Sequence, residues 1–405
     1  MTDGETLATE ILDGRLNAHR HAAYDHLRAL VGPVRGRTPY GGVTWVVTRY
    51  DQARAVLADP RVSKVEPASA VLADPQADET FDAANNPFAD NMLSHDQPEH
   101  GRLRRAVQPA FSPRRIAALA PRIQEICDDL IDGFADRGEA ELIADFAFQL
   151  PMRVICELLG IASSTHDEIM TIMQVFFVED TNQDVAELNQ DAAPRLMDFV
   201  DRLIATKQSD PGTDLVTDLV QAEEPLTHRE MASTIMLLIV AGFLTTVNLI
   251  GNAMFALLQD EKALLSLRED PERIPLAIEE FLRYESPFAP AVVYASEDME
   301  VGGVKVAKDE SFTVMIDAAN RDPERYPDAE TLVLDRAPRS HLAFGHGIHR
   351  CAGAPLARLE GDIALRTLLR RLPEVALGCQ VEEVRWRADF VIHGVTALPV
   401  TFTRA

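Results

Sequence analysis

One long apolar segment dominates the chain: "LTHREMASTIMLLIVAGFLTTVNLIGNAMFALLQD", residues 226–260. Thr227 is followed three residues later by Glu230, a capping-box pattern that predicts a helix starting there and running for about thirty residues. Its longest uninterrupted run of apolar residues and glycine, 235–244, has ten residues, fewer than the roughly 20 that cross a bilayer. A helix that is apolar on nearly all sides then lies at the centre of a soluble core. The segment therefore predicts a large, helix-rich globular protein.

Apolar residues recur at spacings of three and four in most of the remaining chain, as in "RIQEICDDLIDGFADRG" and "LAIEEFLRYES". Strand patterns are few: "GVTWVVTRY", a hairpin "MEVGGVKV" with Gly302 and Gly303 at its turn, "SFTVMI" and "VTALPVTF". No linker and no repeat interrupts the pattern, so we expect residues 1–405 to form a single domain. The predicted fold is mainly α with a small, mainly antiparallel β region.

The chain is strongly acidic, with 64 Asp and Glu against 39 Lys and Arg and a formal net charge of −25. This charge argues against a general nucleic-acid binder, which needs a positive face. Against that background, "HGRLRRAVQPAFSPRR" contains five arginines, at positions 102, 104, 105, 114 and 115. A local basic patch on an acidic protein predicts an acidic partner, although a solvated helix face explains the charges equally well.

The N-terminal residues and the cysteines indicate the compartment. "MTDGETLATEILDGRLN" carries acids where a signal peptide carries a basic stretch followed by an apolar one, which predicts a cytoplasmic protein. Cys127, Cys156, Cys351 and Cys379 lie far apart, with no C-x-x-C pair. That spacing is typical of reduced thiols in a reducing compartment.

Within the long segment, Ala241, Thr245, Asn248 and Asn252 share one helical face. Buried hydroxyl and amide groups need partners, and Ala241 and Gly242 remove bulk beside them, which favours a flat or polar ligand against this face. The alternative is local, because a threonine hydroxyl can donate to the carbonyl four residues earlier. On this segment alone the local alternative is favoured.

A second segment, "FGHGIHRCAG" at residues 344–353, surrounds one cysteine with three glycines and two histidines. Three interpretations compete for Cys351. A buried small hydrophobe is the usual state of a free cysteine, but it does not explain the glycines, which indicate an irregular backbone close to another group. Structural zinc, with His346 and His349, needs a fourth ligand that no second Cys/His cluster supplies. The third is a thiolate ligand to haem iron, for which one cysteine suffices.

This segment resembles the haem-binding loop of cytochromes P450, F-G-x-G-x-H-x-C-x-G, at every specified position. Four further stretches resemble the family in the same order along the chain: "DQPEHGRLRR", "AGFLTT", "EEFLRY" and "NRDPERYPDAE". The resemblance covers nearly the whole chain and is strongest to soluble bacterial members that tailor macrolides and polyketides. It implies a P450-like fold with a long central helix over haem b (iron protoporphyrin IX) and an antiparallel sheet near the N-terminal side.

The resemblance also assigns roles to residues. Cys351 would be the iron ligand, and Cys351 and Thr245 the catalytic residues. The implied haem contacts are His100, Arg104, Ala241, Phe344, Gly345, Gly347, His349, Cys351 and Gly353. The candidate substrate-pocket residues are Phe88, Leu93, Phe177, Leu244, Val292, Phe390 and Val391, each of which also fits an ordinary core position.

Two positions near the implied haem depart from the family's pattern. Leu244 stands where an acid usually precedes the central threonine. Protons must then come through water, a substrate group or another carboxylate. Val293 stands where the family commonly places an arginine for the haem propionates. Because a buried carboxylate without a cation is costly, another group such as His95 is expected to replace it, or the propionate is better solvated.

The third departure concerns a structural ion pair. In "EEFLRY", Glu280 and Arg283 lie one helical turn apart and form the family's E-x-x-R pair. The arginine that completes this triad in the family corresponds to Thr331 here. Arg336 is the candidate substitute.

The function that the resemblance implies is a monooxygenase that inserts one oxygen atom from O2 into a C–H or C=C bond. Its substrate would be an apolar secondary metabolite, and its electrons would come from a ferredoxin and ferredoxin reductase that dock on the basic patch. We expect no nucleic-acid partner, no membrane span and a monomer. Leu244 motivates an alternative, a haem enzyme of this fold that couples, rearranges or desaturates its substrate. A second alternative, a non-catalytic haem sensor, leaves Thr245 and the complete loop unexplained.

Overall fold

The computed structural model describes residues 2–14, 16, 20–38, 42–67, 86–175, 184–337, 340–387 and 390–404. Their α-helices are, in chain order, α1 (Asp3–Leu12), α2 (Arg20–Ala29), α3 (Tyr50–Ala58), α4 (Glu99–Val107), α5 (Pro113–Ala118), α6 (Ala120–Asp132), α7 (Gln149–Leu159), α8 (His166–Gln174), α9 (Asp184–Ser209), α10 (Leu215–Val220), α11 (His228–Gln259), α12 (Glu261–Glu269), α13 (Ile274–Tyr284), α14 (Ile316–Asn320) and α15 (Ala354–Arg371). Their strands are β1 (Val34–Arg37), β2 (Val43–Val47), β3 (Val62–Ser63), β4 (Glu139–Glu141), β5 (Pro290–Ala295), β6 (Met299–Val301), β7 (Val304–Val306), β8 (Ser311–Met315), β9 (Ala376–Leu377) and β10 (Pro399–Thr401). The predicted fold class, mainly α with a small β region, is confirmed.

The long apolar segment forms the 32-residue helix α11. Its predicted capping box is present: the Glu230 N–H donates to Thr227 Oγ1 at 3.2 Å, and the Thr227 N–H donates to Glu230 Oε2 at 2.8 Å. The helix is long and apolar enough to cross a membrane by composition, but 72% of its most apolar window is buried inside the protein. A buried helix of this kind is the core element that the sequence predicts.

Residue contacts divide the chain into two compact units. The first comprises Met1–Phe81, Asn248–Ala354 and Cys379–Leu398, and the second comprises Asp82–Val247, Pro355–Gly378 and Pro399–Ala405. Each unit is therefore assembled from segments that are distant in sequence. The expectation of a single domain over residues 1–405 remains a prediction.

A five-stranded sheet with the order β1-β2-β8-β5-β3 lies in the first unit. Three of its four pairings are antiparallel, as predicted, but β2 and β8 run parallel, with Thr44 opposite Ser311. A parallel pair is possible here because most of the chain lies between β2 and β8, so no tight turn has to join the two strands. The predicted hairpin is also present as β6 and β7, with Gly302 and Gly303 in the left-handed region at its turn.

Most of the remaining helices belong to the second unit, with the three-stranded sheet β4-β10-β9. The edge of the Phe148 ring packs on Phe243 of α11, with 4.7 Å between ring centroids. The segment that precedes α4 is tied to α11, because Asn91 Nδ2 donates to Ser233 Oγ at 3.1 Å. These contacts fix the N-terminal half of α11 within this unit.

The predicted structural ion pair is present in the first unit, with Arg336 as its third member. Arg283 Nε and Nη2 each lie 2.8 Å from a carboxylate oxygen of Glu280. Arg336 Nε donates to Glu280 Oε1 at 3.0 Å, and both guanidinium groups donate to the Thr331 carbonyl oxygen. Arg336 thus supplies the cation that position 331 lacks.

Candidate active site

The cysteine loop, residues 344–353, lies between α14 and α15 and belongs entirely to the first unit. The Cys351 N–H donates to the Phe344 carbonyl oxygen at 2.8 Å, which closes the loop on itself. The loop is also held at its start, because the Leu342 N–H donates to Asn320 Oδ1 at 2.7 Å. Cys351 itself is exposed. The backbone bonds thus fix a thiol in an accessible position.

Two glycines give this loop its shape. Gly345 and Gly347 have φ values of 69° and 72°, in the left-handed region that glycine adopts without strain. A Cβ on Gly347 would lie only 2.2 Å from the Leu57 carbonyl oxygen near the end of α3. The loop therefore has the expected irregular backbone and lies close to another group. At Gly347 that group is the backbone of Leu57.

The other cysteines show what a buried thiol looks like here. Cys127 and Cys156 are buried, and burial raises the pKa of the Cys156 thiol to about 12. The interpretation as a small buried hydrophobe therefore fits these two residues and not the exposed Cys351. Zinc is not supported either, because the described residues contain no group of three or more His, Cys, Asp or Glu side chains placed to hold a metal.

In the second unit, the middle of α11 carries an accessible patch of small residues. Ala241 and Gly242 are exposed, although Phe243 and Leu244 beside them are buried. Thr245 Oγ1 donates to the Ala241 carbonyl oxygen at 3.0 Å, so the local alternative for the threonine is confirmed. The patch nevertheless leaves an apolar helix surface open, as a flat ligand requires.

His100 and Arg104 lie one turn apart on α4. His100 is buried, and burial together with the positive charge of Arg104 lowers its pKa, while Asp96 raises it. Its Nδ1 lies 3.4 Å from Gln97 Nε2. A guanidinium next to a buried neutral imidazole offers N–H donors and positive charge, which suit a carboxylate of a ligand.

These residues fit haem b. The first unit presents one exposed thiol on a closed loop, and a single cysteine would be enough to bind haem iron. The second unit presents an open patch of small residues on an apolar helix, and a guanidinium beside a neutral imidazole, which suit propionates. Taken unit by unit, the described residues match what a haem-thiolate protein of the cytochrome P450 type requires.

Comparisons with known proteins establish the family. Residues 159–374 match the family model for Cytochrome P450. The chain is 40% identical over 410 residues to Cytochrome P450 107B1 of Saccharopolyspora erythraea, with 99% of each chain covered. It is 38% identical over 392 residues to the mycinamicin IV hydroxylase/epoxidase of Micromonospora griseorubida, with 94% of each covered. The solved structure of the Bacillus subtilis polyketide-synthase P450 PksS matches with a TM-score of 0.87 and 34% identity, covering 96% of this chain and 98% of that one.

The chain therefore belongs to the cytochrome P450 family. It is a P450 monooxygenase whose cofactor is haem b. The oxygenase interpretation is thus favoured over the alternatives of coupling without oxygen insertion and of haem sensing.

The structure places the predicted substrate-pocket residues in different environments. Leu93, Val292 and Val391 are exposed, with 47%, 41% and 42% of their surface accessible, although most aliphatic side chains of the described residues are buried. The remaining positions are Phe88 (half-buried), Leu244 (buried), Phe390 (half-buried against the cluster that contains Tyr24) and Phe177 (outside the described residues). Contact of these residues with substrate stays a prediction.

Position 293, where the family commonly has an arginine, is occupied by a core side chain. Val293 is buried in the cluster around the five-stranded sheet. His95 is engaged locally, since its Nδ1 lies 3.1 Å from the Asn91 carbonyl oxygen. Lys64, which sequence reasoning missed, brings a cation to this strand, because its Nζ donates to the Val292 carbonyl oxygen at 2.7 Å. Lys64 directly follows β3 in the sequence. This position indicates a contact with β5 only when the pairing of β3 with β5 is known.

Sequence reasoning also missed a buried carboxyl group, Glu360 on α15. The side chain is buried, and no donor among the described residues lies within hydrogen-bonding distance of its Oε2 atom. Burial raises the pKa of Glu360 to about 8. The group therefore holds a proton at neutral pH. Its position on an otherwise ordinary helix gives no signal in the sequence.

We predict that Gly347→Ala lowers haem retention and thermal stability, because the new Cβ would collide with the Leu57 carbonyl oxygen. Gly303→Ala is the matched control, since Gly303 has a similar φ of 79° but no atom within 4 Å of the point that a Cβ would occupy. The measurements are the Soret-to-protein absorbance ratio and the melting temperature. Equal losses in both variants would show that backbone strain, and not the close approach, is responsible.

We predict that Glu360→Gln gains stability relative to the parent protein as pH rises from about 5 to about 8. In this window the unfolded chain has lost the Glu360 proton, from a pKa near 4.5, whereas the folded protein keeps it until about 8. Stability of the parent therefore falls with rising pH, by about 4 kcal/mol at most. Urea unfolding at several pH values measures the difference, with Glu269→Gln at an exposed position as control. A difference that does not change with pH would contradict the prediction.

Proposed function

We propose that this monooxygenase oxidises a bulky, apolar secondary metabolite of the macrolide or polyketide type. It would work in the cytoplasm as a monomer, with electrons from a ferredoxin and its reductase. The observation that carries the proposal is an exposed thiol, Cys351, in a unit that also exposes Val292 and Val391. The mycinamicin hydroxylase/epoxidase, at 38% identity, supports the substrate class.

The apolar surface of the first unit supports this substrate class. The Ala289 N–H donates to the Val391 carbonyl oxygen at 3.0 Å, so residues 390–392 lie beside the start of β5. Val391 and Val292 thus project from neighbouring segments. Two exposed aliphatic side chains on neighbouring segments provide surface that a large apolar molecule can cover.

Haem, when bound, supplies dioxygen activation at its iron, which a thiolate ligand promotes by electron donation. The hydrogen bond from the Cys351 N–H to the Phe344 oxygen fixes the backbone of the residue that would provide this thiolate. Thr245 Oγ1 already donates its hydrogen to the Ala241 oxygen, so its lone pairs are left to accept from water. We propose that water bonded to this hydroxyl delivers protons, since Leu244 offers none. Glu360, in the same unit as Thr245, is a second group that holds a proton.

In the basic patch, residues 102–115, fewer arginines carry uncompensated charge than the sequence indicates. Arg102 pairs with Glu99 and Glu230, and Arg115 pairs with Asp218. The uncompensated charge of the patch therefore lies on other arginines than these two. Arg105 and Arg114 are both exposed, and neither has a carboxylate within ion-pair distance among the described residues. We propose that these two arginines meet the acidic surface of the ferredoxin.

We predict that the double variant Arg105→Glu, Arg114→Glu lowers the rate of reduction by ferredoxin about tenfold or more at low salt. Stopped-flow measurements of haem reduction across a salt series test this, and reduction by dithionite should not change. Arg195→Glu, at another exposed arginine of the second unit, is the control for a charge reversal outside the patch. Unchanged ferredoxin rates in the double variant would place the docking surface elsewhere.

The substrate class is tested by titrating the purified protein with a panel of macrolides, linear polyketides and fatty acids. We expect macrolides or polyketides to shift the haem spectrum from low spin to high spin at the lowest concentrations. Turnover under 18O-labelled dioxygen should then yield a product that carries one labelled atom. Preference for fatty acids would overturn the substrate class, and a fully converted but unlabelled product would overturn oxygen insertion.

A further inference from the structure

The segment 390–394 of the first unit carries two of the proposed pocket residues, Phe390 and Val391. Its backbone is paired with the chain that leads into β5. The Ala289 N–H donates to the Val391 oxygen at 3.0 Å, and the His393 N–H donates to the Pro287 oxygen at 2.9 Å. The segment is therefore held on one side as a short antiparallel strand would be.

A second set of bonds holds the same segment to the C-terminal half of α11. Asn252 Nδ2 donates to the His393 carbonyl oxygen at 3.1 Å, and the Val395 N–H donates to Asn252 Oδ1 at 3.3 Å. The side-chain amide of Asn252 thus makes the two hydrogen bonds that a backbone peptide group of a neighbouring strand would make, one as donor and one as acceptor. The Arg387 N–H also donates to the Gly394 oxygen at 2.9 Å.

The His393 side chain points into the protein and connects the segment to a charged cluster. The imidazole is buried and stacks on the Trp386 ring, with 4.4 Å between centroids and 4° between planes. Its Nε2 lies 2.8 Å from Glu285 Oε2, at the C-terminal end of α13. Glu285 is also paired with Arg321, at 2.5 Å, whose Nε donates to the Tyr284 oxygen.

The charges of this cluster fix the direction of the bond. The guanidinium of Arg321, with the hydrogen bond from His393, holds the pKa of Glu285 well below its usual range despite its burial, so the group is a carboxylate and only accepts. Burial, reinforced by the charge of Arg20, lowers the pKa of His393 to about 4. At neutral pH the imidazole is therefore uncharged and carries its hydrogen on Nε2. A neutral donor to a buried carboxylate is a strong and specific contact.

We propose that His393 is the positioning residue that sets how the segment 390–394 presents Phe390 and Val391 to the substrate. The backbone hydrogen bonds fix the path of the segment beside residues 287–289. The His393–Glu285 hydrogen bond fixes how closely the segment packs against Glu285 and Arg321. Loss of the donor would leave a buried carboxylate oxygen unsatisfied and loosen the segment. The inference rests on the proposed function for the place of the two residues in the pocket.

The test compares the haem-loaded parent protein with His393→Leu, which removes the donor, and His393→Gln, which retains an N–H. His228→Leu is the matched control, since it removes another histidine–carboxylate contact, with Asp201 at 2.9 Å, on the surface. Hydrogen exchange reports the amides of Ala289 and His393. Soret titrations give the dissociation constants of imidazole, which reports the iron alone, and of 4-phenylimidazole, whose phenyl ring also touches the pocket.

We expect His393→Leu to speed exchange of both amides about tenfold and to change the ratio of the two dissociation constants about fivefold. His393→Gln and His228→Leu should stay close to the parent protein in both measurements. Parent-like exchange and an unchanged ratio in His393→Leu would overturn the proposal, and so would equal changes in His228→Leu. Because neither azole is a polyketide, an error in the proposed substrate class would leave this result intact.

Discussion

The bond that we propose between the Cys351 sulfur and haem iron is the interaction on which the function depends, and the protein keeps that sulfur accessible. Burial raises the pKa of the Cys156 thiol to about 12, so a thiol in this core stays neutral. Cys351 escapes that environment because its loop closes through its own backbone and packs against the end of α3. Only glycine at position 347 permits that approach. An exposed thiolate at position 351 thus depends on the backbone conformation of the cysteine loop.

Buried charge holds the scaffold around this loop. Glu280 is shared between Arg283 and Arg336, and Glu285 is paired with Arg321 and bonded to His393. Removing one partner of such a buried pair strands the other charge, so these contacts favour one arrangement of the surrounding segments. The first cluster holds the chain ahead of the cysteine loop, and the second holds the segment 390–394.

Local patterns allowed much of this to be predicted from the sequence. The capping box at Thr227, the glycine turn of the β6–β7 hairpin and the cysteine loop depend on neighbouring residues, and all three are present as expected. Contacts between distant segments carry weaker signals: the parallel pairing of β2 with β8, and the amide of Asn252 that bonds residues 393 and 395. Glu360 could not be recognised, because burial and not residue type makes its carboxyl group unusual. The sequence suggested Arg336 for the triad, but only the fold showed its bond to Glu280.

The most direct test is the absorption spectrum of the reduced carbon monoxide complex, recorded for the parent protein, Cys351→Ser and Cys379→Ser. Cys379 is a partly accessible free cysteine of the same unit and serves as the matched control. We predict the red-shifted Soret band of thiolate ligation in the parent protein and in Cys379→Ser, and its loss in Cys351→Ser. Retention of that band without the sulfur of residue 351, or its absence from the haem-loaded parent protein, would contradict the assignment.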